Sequence, residues 1–269
     1  MVDFGLTDSV ALVTAGANGI GEGAAMALAG FGAHVVIADI DAENGERVAA
    51  AVRATGREAL FVSMNAMEVG QVQAAVEAAF ARFGRLDVLV NNAGGVKPRP
   101  LLDQTEANWR RIMDFNLTSM VAATQAAARH MIAGGRGGAI VNVASSEAFR
   151  AAPNFSVYAA CKAGMVEFTM TMALELAEHG IRVNAIAPDA IDTPGIRPPP
   201  GGSAADEERR NRHVPLRRAA SIDEAGSVIA FLASKLASFV TGTALPVDGG
   251  VNAAGGWIRS PDGRWGFGT

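Results

Sequence analysis

Tyr158 and Lys162 stand four residues apart in the stretch SVYAACK, and Tyr158 is the only tyrosine of the chain. On a helix, that spacing puts both side chains on one face, about one turn apart. An ammonium beside a phenol favours the tyrosinate. It draws the phenol's pKa down towards neutrality and makes the hydroxyl usable as an acid or a base. Pairs at this spacing also occur on ordinary surface helices, so the meaning of this one depends on the elements that carry it.

Those elements alternate. Short apolar runs at residues 9–14 (SVALVT), 34–39 (HVVIAD), 58–62, 87–90, 139–143 (AIVNV), 181–185 and 244–247 read as strands. Between them, helical patterns run over residues 19–31, 42–54, 68–83, 104–131, 156–179 and 222–233. The strand runs are continuously apolar rather than alternating, as expected when helices cover both faces of a sheet. Repeated strand–helix units with right-handed crossovers predict a doubly wound parallel α/β sheet. A second core and a linker are both missing from the pattern, so the chain reads as one domain.

Bulk properties narrow the classes further. The chain has 269 residues, is 49% hydrophobic and carries a net charge of −4. It shows no basic stripe, which argues against nucleic acid as a partner. No apolar run approaches the ~20 residues of a membrane span. The opening residues MVDFGLTDSV do not read as a signal peptide. Cys161 is the single cysteine, so no disulfide forms within one chain. No set of metal ligands is apparent. A soluble, cytoplasmic protein is the expectation.

Open parallel sheets bind ligands at the carboxyl ends of their strands. The loop after the first strand reads Thr14-Ala15-Gly16-Ala17-Asn18-Gly19-Ile20-Gly21. Glycines there let the backbone approach a pyrophosphate, and the N-terminus of the following helix attracts its charge. Asp39 ends the second strand, where a carboxylate accepts hydrogen bonds from ribose hydroxyls and repels a 2′-phosphate. With no Arg or Lys in the glycine loop, the pattern favours NAD over NADP.

Taken together, these residues resemble the short-chain dehydrogenase/reductase family over roughly residues 6–251. The match includes the glycine loop, Asn91-Asn92-Ala93-Gly94 after the fourth strand, Asn116, Ser145, Tyr158-x-x-x-Lys162 and residues 191–193. The resemblance implies a Rossmann-type fold with strand order 3-2-1-4-5-6-7. It also implies hydride transfer between a nicotinamide and an alcohol/ketone pair. By that resemblance Tyr158 is the general acid or base. Ser145 hydrogen-bonds the same substrate oxygen, with Ser146 as the fallback. Lys162 binds the nicotinamide ribose and tunes Tyr158, and Asn116 holds a water in a proton relay. The NAD site would draw on Gly16, Asn18, Gly19, Ile20, Gly21, Asp39, Ile40, Asn65, Ala66, Asn92, Ala93, Gly94, Tyr158, Lys162, Pro188, Ile191 and Thr193. A homotetramer built on the helices beginning near residues 104 and 156 is also implied.

Four positions depart from the family pattern. Ala15 stands where the family has glycine; either its φ is ordinary or the turn differs. Asn65 replaces an adenine-binding aspartate, and its amide oxygen can still accept a hydrogen bond. Cys161 replaces a serine and reads as a small packed residue. Asp189 replaces a glycine next to Pro188; it reads as a solvated turn residue, or else as a carboxylate facing the nicotinamide.

The substrate is less legible. Gly95, Val96, Glu147, Phe149, Asn154 and Phe155 would form the site mouth. Residues 193–218 would be a lid, with Pro198-Pro199-Pro200-Gly201-Gly202 followed by an Arg-rich segment. The pairs Asp206/Arg210 and Glu208/Arg212 make a solvated, self-paired helix the expectation there rather than an anion site. Residues 252–269 form an extension in which Ser260-Pro261-Asp262-Gly263 reads as a hairpin turn. Its two tryptophans suggest docking on a neighbouring subunit or over the mouth. The reading is an NAD-dependent secondary-alcohol dehydrogenase or ketone reductase. The alternatives are an NADP-linked 3-oxoacyl reductase and a non-catalytic nucleotide sensor on the same fold.

Overall fold

The computed structural model describes residues 4–193, 208, 211–260 and 264–267. Seven strands form one sheet: β1 (Val10–Thr14), β2 (His34–Asp39), β3 (Ala59–Ser63), β4 (Val88–Asn91), β5 (Gly138–Val143), β6 (Ile181–Pro188) and β7 (Ala244–Val247). Their order is β3-β2-β1-β4-β5-β6-β7, and every neighbouring pair is parallel. This is the expected Rossmann-type order.

Helices cover both faces. They are α1 (Gly19–Gly30), α2 (Ala42–Ala54), α3 (Val69–Phe83), α4 (Glu106–Met113), α5 (Ser119–Gly134), α6 (Ser156–Glu175) and α7 (Ile222–Ala233). Successive strand side chains point to opposite faces. In β1, Val10 and Leu12 join the core with Val72 and Ala75 of α3 and Ala123 and Ala127 of α5. Ala11 and Val13 instead join Ala24 and Leu28 of α1 and Ile229 of α7. All five residues of β1 are buried, which is why its sequence is continuously apolar.

The helix expected over residues 104–131 is divided. A 3-10 turn, Leu101–Asp103, precedes α4, and a π-helical turn, Asp114–Thr118, separates α4 from α5. Thr105 and Asn108 close a capping box that starts α4 afresh. The π-turn holds buried Asn116, whose Nδ2 donates to the Ile112 carbonyl at 2.9 Å. A side-chain amide inserted at such a carbonyl locally widens the helical ladder. β6 runs three residues past its expected end, to Pro188, because β7 pairs with it as far as Pro188 and Val247.

The C-terminal hairpin is present as β8 (Trp257–Arg259) and β9 (Trp265–Phe267), antiparallel, with Trp257 opposite Phe267. Residues 261–263 of its expected turn lie outside the described residues. Beside β8, a cavity of about 360 Å³ is lined by Arg150, Asp189, His213, Val214, Trp257 and Ile258, among others, so the hairpin stands next to Arg150 and Asp189. Among the described residues, no helix is long and apolar enough to cross a membrane, and no cluster of acidic, His and Cys side chains could hold a metal.

Candidate active site

The carboxyl ends of β1, β4, β5 and β6 bring the expected residues together. Thr14, the last residue of β1, anchors the next strand's loop: its Oγ1 accepts from the N–H groups of Asn92 and Ala93, both at 3.0 Å. Asn92 returns the tie, its Nδ2 donating to the carbonyls of Thr14 and Ala15 at 3.2 and 2.9 Å. Gly21 sits under this crossing, where an added Cβ would lie 2.2 Å from the Ala15 oxygen. A side chain at residue 21 would therefore push the two loops apart.

Ala15 has φ +49. Of the two expectations, an ordinary φ or a different turn, the first fails: Ala15 lies in the left-handed region. The Asn92 bond to the Ala15 carbonyl holds that strained conformation in place.

The residues expected to hold the nucleotide gather around the loop after β1. Asn18 precedes α1 without capping it. Its amide donates to Asp41 instead, at 3.3 Å, and its side-chain oxygen leaves uncovered the first N–H groups of α1, which suit a phosphate. The Asp39 carboxylate is fixed by the N–H groups of Ala17 and Asp41, each at 3.0 Å. Ile40 beside it is 68% exposed, an apolar platform for an adenine ring. Asn65 Oδ1 accepts from the Met67 N–H at 3.1 Å, which leaves its second lone pair free. Ala66 is buried next to it. At the other end of the groove, Thr193 packs within 3.3 Å of where a Gly19 Cβ would stand, bringing the β6 loop onto the glycine loop. Ile191 is buried and bridges to Ala220. These residues fit a nicotinamide dinucleotide.

At the reacting end, α6 carries Tyr158 and Lys162 on one face. The Lys162 side chain is buried, and its Nζ donates to the Val143 carbonyl at 2.7 Å. Burial pulls its pKa down to about 8. Nζ lies 5.5 Å from the Tyr158 ring centroid. Burial pushes Tyr158 up to about 12, and the hydrogen bond with Ser145 only partly offsets this. The downward pull expected from Lys162 is not what governs the phenol here: the ammonium lies over the ring and bonds the β5 backbone.

Asn116 and Lys162 converge on Gly94, where a Cβ would meet Asn116 Oδ1 at 2.7 Å and Lys162 Nζ at 3.0 Å. The Asn116 amide clamps Gly95 from both sides, accepting from its N–H and donating to its carbonyl, each at 2.9 Å. Cys161 is buried, as a packed small residue should be.

Ser145 follows β5 and caps the 3-10 turn Ser146–Ala148. Its hydroxyl donates to Glu147 Oε2. Glu147 Oε1 accepts from Arg150 at 3.0 Å, and the same Arg150 nitrogen donates to Asp189 at 2.5 Å. Asp189 is thus ion-paired beside the site, not the solvated turn residue expected. Burial raises its pKa, and the Arg150 charge only partly opposes this. Arg150 was not visible as a site residue in the sequence: its partner Asp189 lies 39 positions away.

Sequence reasoning also missed the buried ladder beneath the site. Asn91 Nδ2 donates to Thr124 at 3.0 Å and to Asn142 at 2.8 Å, and Asn142 donates to Thr169 at 2.8 Å. A polar residue within each of two apolar strands was the available signal. Of the lid, residues 194–207, 209 and 210 lie outside the described residues, including Pro198 to Gly202, Asp206, Arg209 and Arg210. Arg218 pairs with Glu224 at the start of α7 at 2.7 Å.

A family model described as enoyl-(acyl carrier protein) reductase matches residues 14–252. The chain is 44% identical to cis-4-hydroxycyclohexanecarboxylate dehydrogenase of Sinomonas cyclohexanicum over 91% of its own length and 97% of that protein's. In structure it is similar to levodione reductase, with a TM-score of 0.86 and 35% identity over 92% of this chain and 99% of that one. It is also similar to carveol dehydrogenase from Mycobacterium avium in complex with NAD, with a TM-score of 0.86 and 28% identity over 91% and 98%. The chain belongs to the short-chain dehydrogenase/reductase family, whose members are oxidoreductases that bind a nicotinamide cofactor.

Proposed function

We propose that this protein is an NAD-dependent secondary-alcohol dehydrogenase or ketone reductase with Tyr158 as its general acid/base. The observation that carries this reading is the convergence of Ser145, Tyr158, Lys162 and Asn116 at the ends of β4 and β5. The nicotinamide, when bound, supplies or takes the hydride. Tyr158 moves the proton of the substrate oxygen, and Ser145 shares that oxygen. Lys162 and Asn116 hold the backbone at Val143 and Gly95 around them. The choice of NAD rests on Asp39, held by two N–H groups so that its free lone pairs meet ribose hydroxyls and repel a 2′-phosphate. A relative named for a cyclic hydroxy acid and a neighbour solved with NAD support the same choice of substrate class and cofactor.

We place the protein in the cytoplasm as a homotetramer, with residues 1–251 as the dehydrogenase unit and residues 252–269 as a C-terminal extension of the same domain. NADH formation with a panel of secondary alcohols tests the activity. Turnover with some members and a preference for NAD over NADP is the expected result. No turnover with any member, together with nucleotide binding, supports a sensor instead.

A further inference from the structure

One array at the mouth is not explained by the roles assigned so far. Ser145 has a single hydroxyl hydrogen and two lone pairs. The hydrogen goes to Glu147 Oε2. The Glu147 N–H also points back at Ser145 Oγ, at 3.4 Å, so the turn closes on itself. Glu147 is in turn anchored by Arg150, which reaches across to Asp189 at the end of β6. The Glu147 and Asp189 side chains are each 21% exposed and Arg150 is 37% exposed, so solvent screens the array only partly.

We propose that Glu147, held by Arg150, is a positioning residue of the catalytic centre: by taking the Ser145 hydrogen it fixes that hydroxyl with its remaining lone pair open to the reacting oxygen. This rests on the reading of Ser145 and Tyr158 as the pair that meets the substrate oxygen. A Ser145 oxygen set as an acceptor suits a substrate that arrives with a hydrogen to donate, which is an alcohol. A ketone oxygen has to draw the hydrogen away from a carboxylate first.

The array also acts through charge. Tyr158 faces Ser145 and Glu147 from the β5 turn, Asp189 from β6, and Cys161 and Lys162 from its own helix, with Arg150 behind Glu147. After burial, the Glu147 and Asp189 carboxylates each push the phenol's pKa up. Burial pushes Glu147 itself up, but the hydrogen bonds from Ser145 and Arg150 outweigh that and keep it ionised.

The test uses the full chain with NAD and the best alcohol of the panel. Glu147→Ala removes both the charge and the acceptor; Glu147→Gln removes only the charge. Both variants are expected to shift the rising limb of the kcat/KM pH profile down by about one pH unit, since losing a nearby negative charge favours tyrosinate. Glu147→Ala is expected to lose about tenfold or more in kcat with KM little changed, and Glu147→Gln to recover most of it. Arg150→Gln, which leaves Glu147 unanchored, is expected to fall between them. Single-tyrosine absorbance adds a readout without turnover: at one alkaline pH, Glu147→Gln shows more tyrosinate than the parent. Parental kcat and limb in both Glu147 variants overturn the inference, as does equal damage in both with an unshifted limb. Tyr158→Phe separates the two ideas. Full turnover by that variant removes the underlying assignment and this inference with it. Loss of turnover in Tyr158→Phe alongside silent Glu147 variants removes this inference alone.

Discussion

The Lys162 ammonium lies over the Tyr158 ring, 5.5 Å from its centroid. A cation over the ring face meets the π-system, and its hydrogen bond goes to the Val143 carbonyl at 2.7 Å. The pair therefore divides its work: Lys162 fixes the end of β5, while the phenol's proton affinity is set by burial first, then by Ser145 and the carboxylates of Glu147 and Asp189.

Stability follows the Lys162 charge. Its pKa is pulled down to about 8 by burial, below the ordinary lysine value near ~10.4. Between those values the unfolded chain binds the extra proton and the folded chain does not, so stability rises with pH through that window. Below it, the buried charge is a standing penalty. Lys162→Met is expected to raise the stability of the cofactor-free protein at neutral pH by on the order of 2 kcal/mol. The gain shrinks as pH rises from 8 towards the unfolded value. Urea unfolding at several pH values checks this; a gain that does not change with pH contradicts it.

Ala15 holds φ +49, where a Cβ is unfavourable. Ala15→Gly relieves that strain but adds unfolded-state freedom, so the net gain is about 0.5–1 kcal/mol. Thermal unfolding measures it, and a lower Tm in the variant defeats the claim of strain.

Gly94 leaves no room for a side chain between Asn116 and Lys162. Gly94→Ala is expected to displace one of the two and to lower turnover about a hundredfold, with the far-ultraviolet circular dichroism unchanged. Parental turnover in that variant means that the two groups are not held in place through this contact.

At the nucleotide end, Asp39→Asn removes the charge and keeps an acceptor for only one of the Ala17 and Asp41 amides. NADPH affinity is expected to rise about tenfold or more relative to NADH, read by fluorescence titration. An unchanged ratio sinks the assignment of Asp39 as the selector.

Much of this was readable from residue order. The seven apolar runs carry their strands because burial on both faces leaves a continuous signature, and Trp257 and Trp265 flank a turn sequence that pairs as expected. What escaped was set by three-dimensional neighbours. The π-turn at Asn116 depends on its bonds to Gly95 and Ile112, and a helical period does not reveal them. The φ of Ala15 is held by Asn92, 77 positions away. The Arg150–Asp189 ion pair joins two loops that only the order β5-β6 brings together. Local patterns expose periodicity and turn chemistry; they do not expose which distant group neutralises a charge.

The most direct measurement compares NADH formation by the parent and by Tyr158→Phe on the best alcohol of the panel. The account predicts a loss of at least about a hundredfold in kcat, since the phenyl ring keeps the packing and removes the proton carrier. Undiminished turnover by the variant contradicts it.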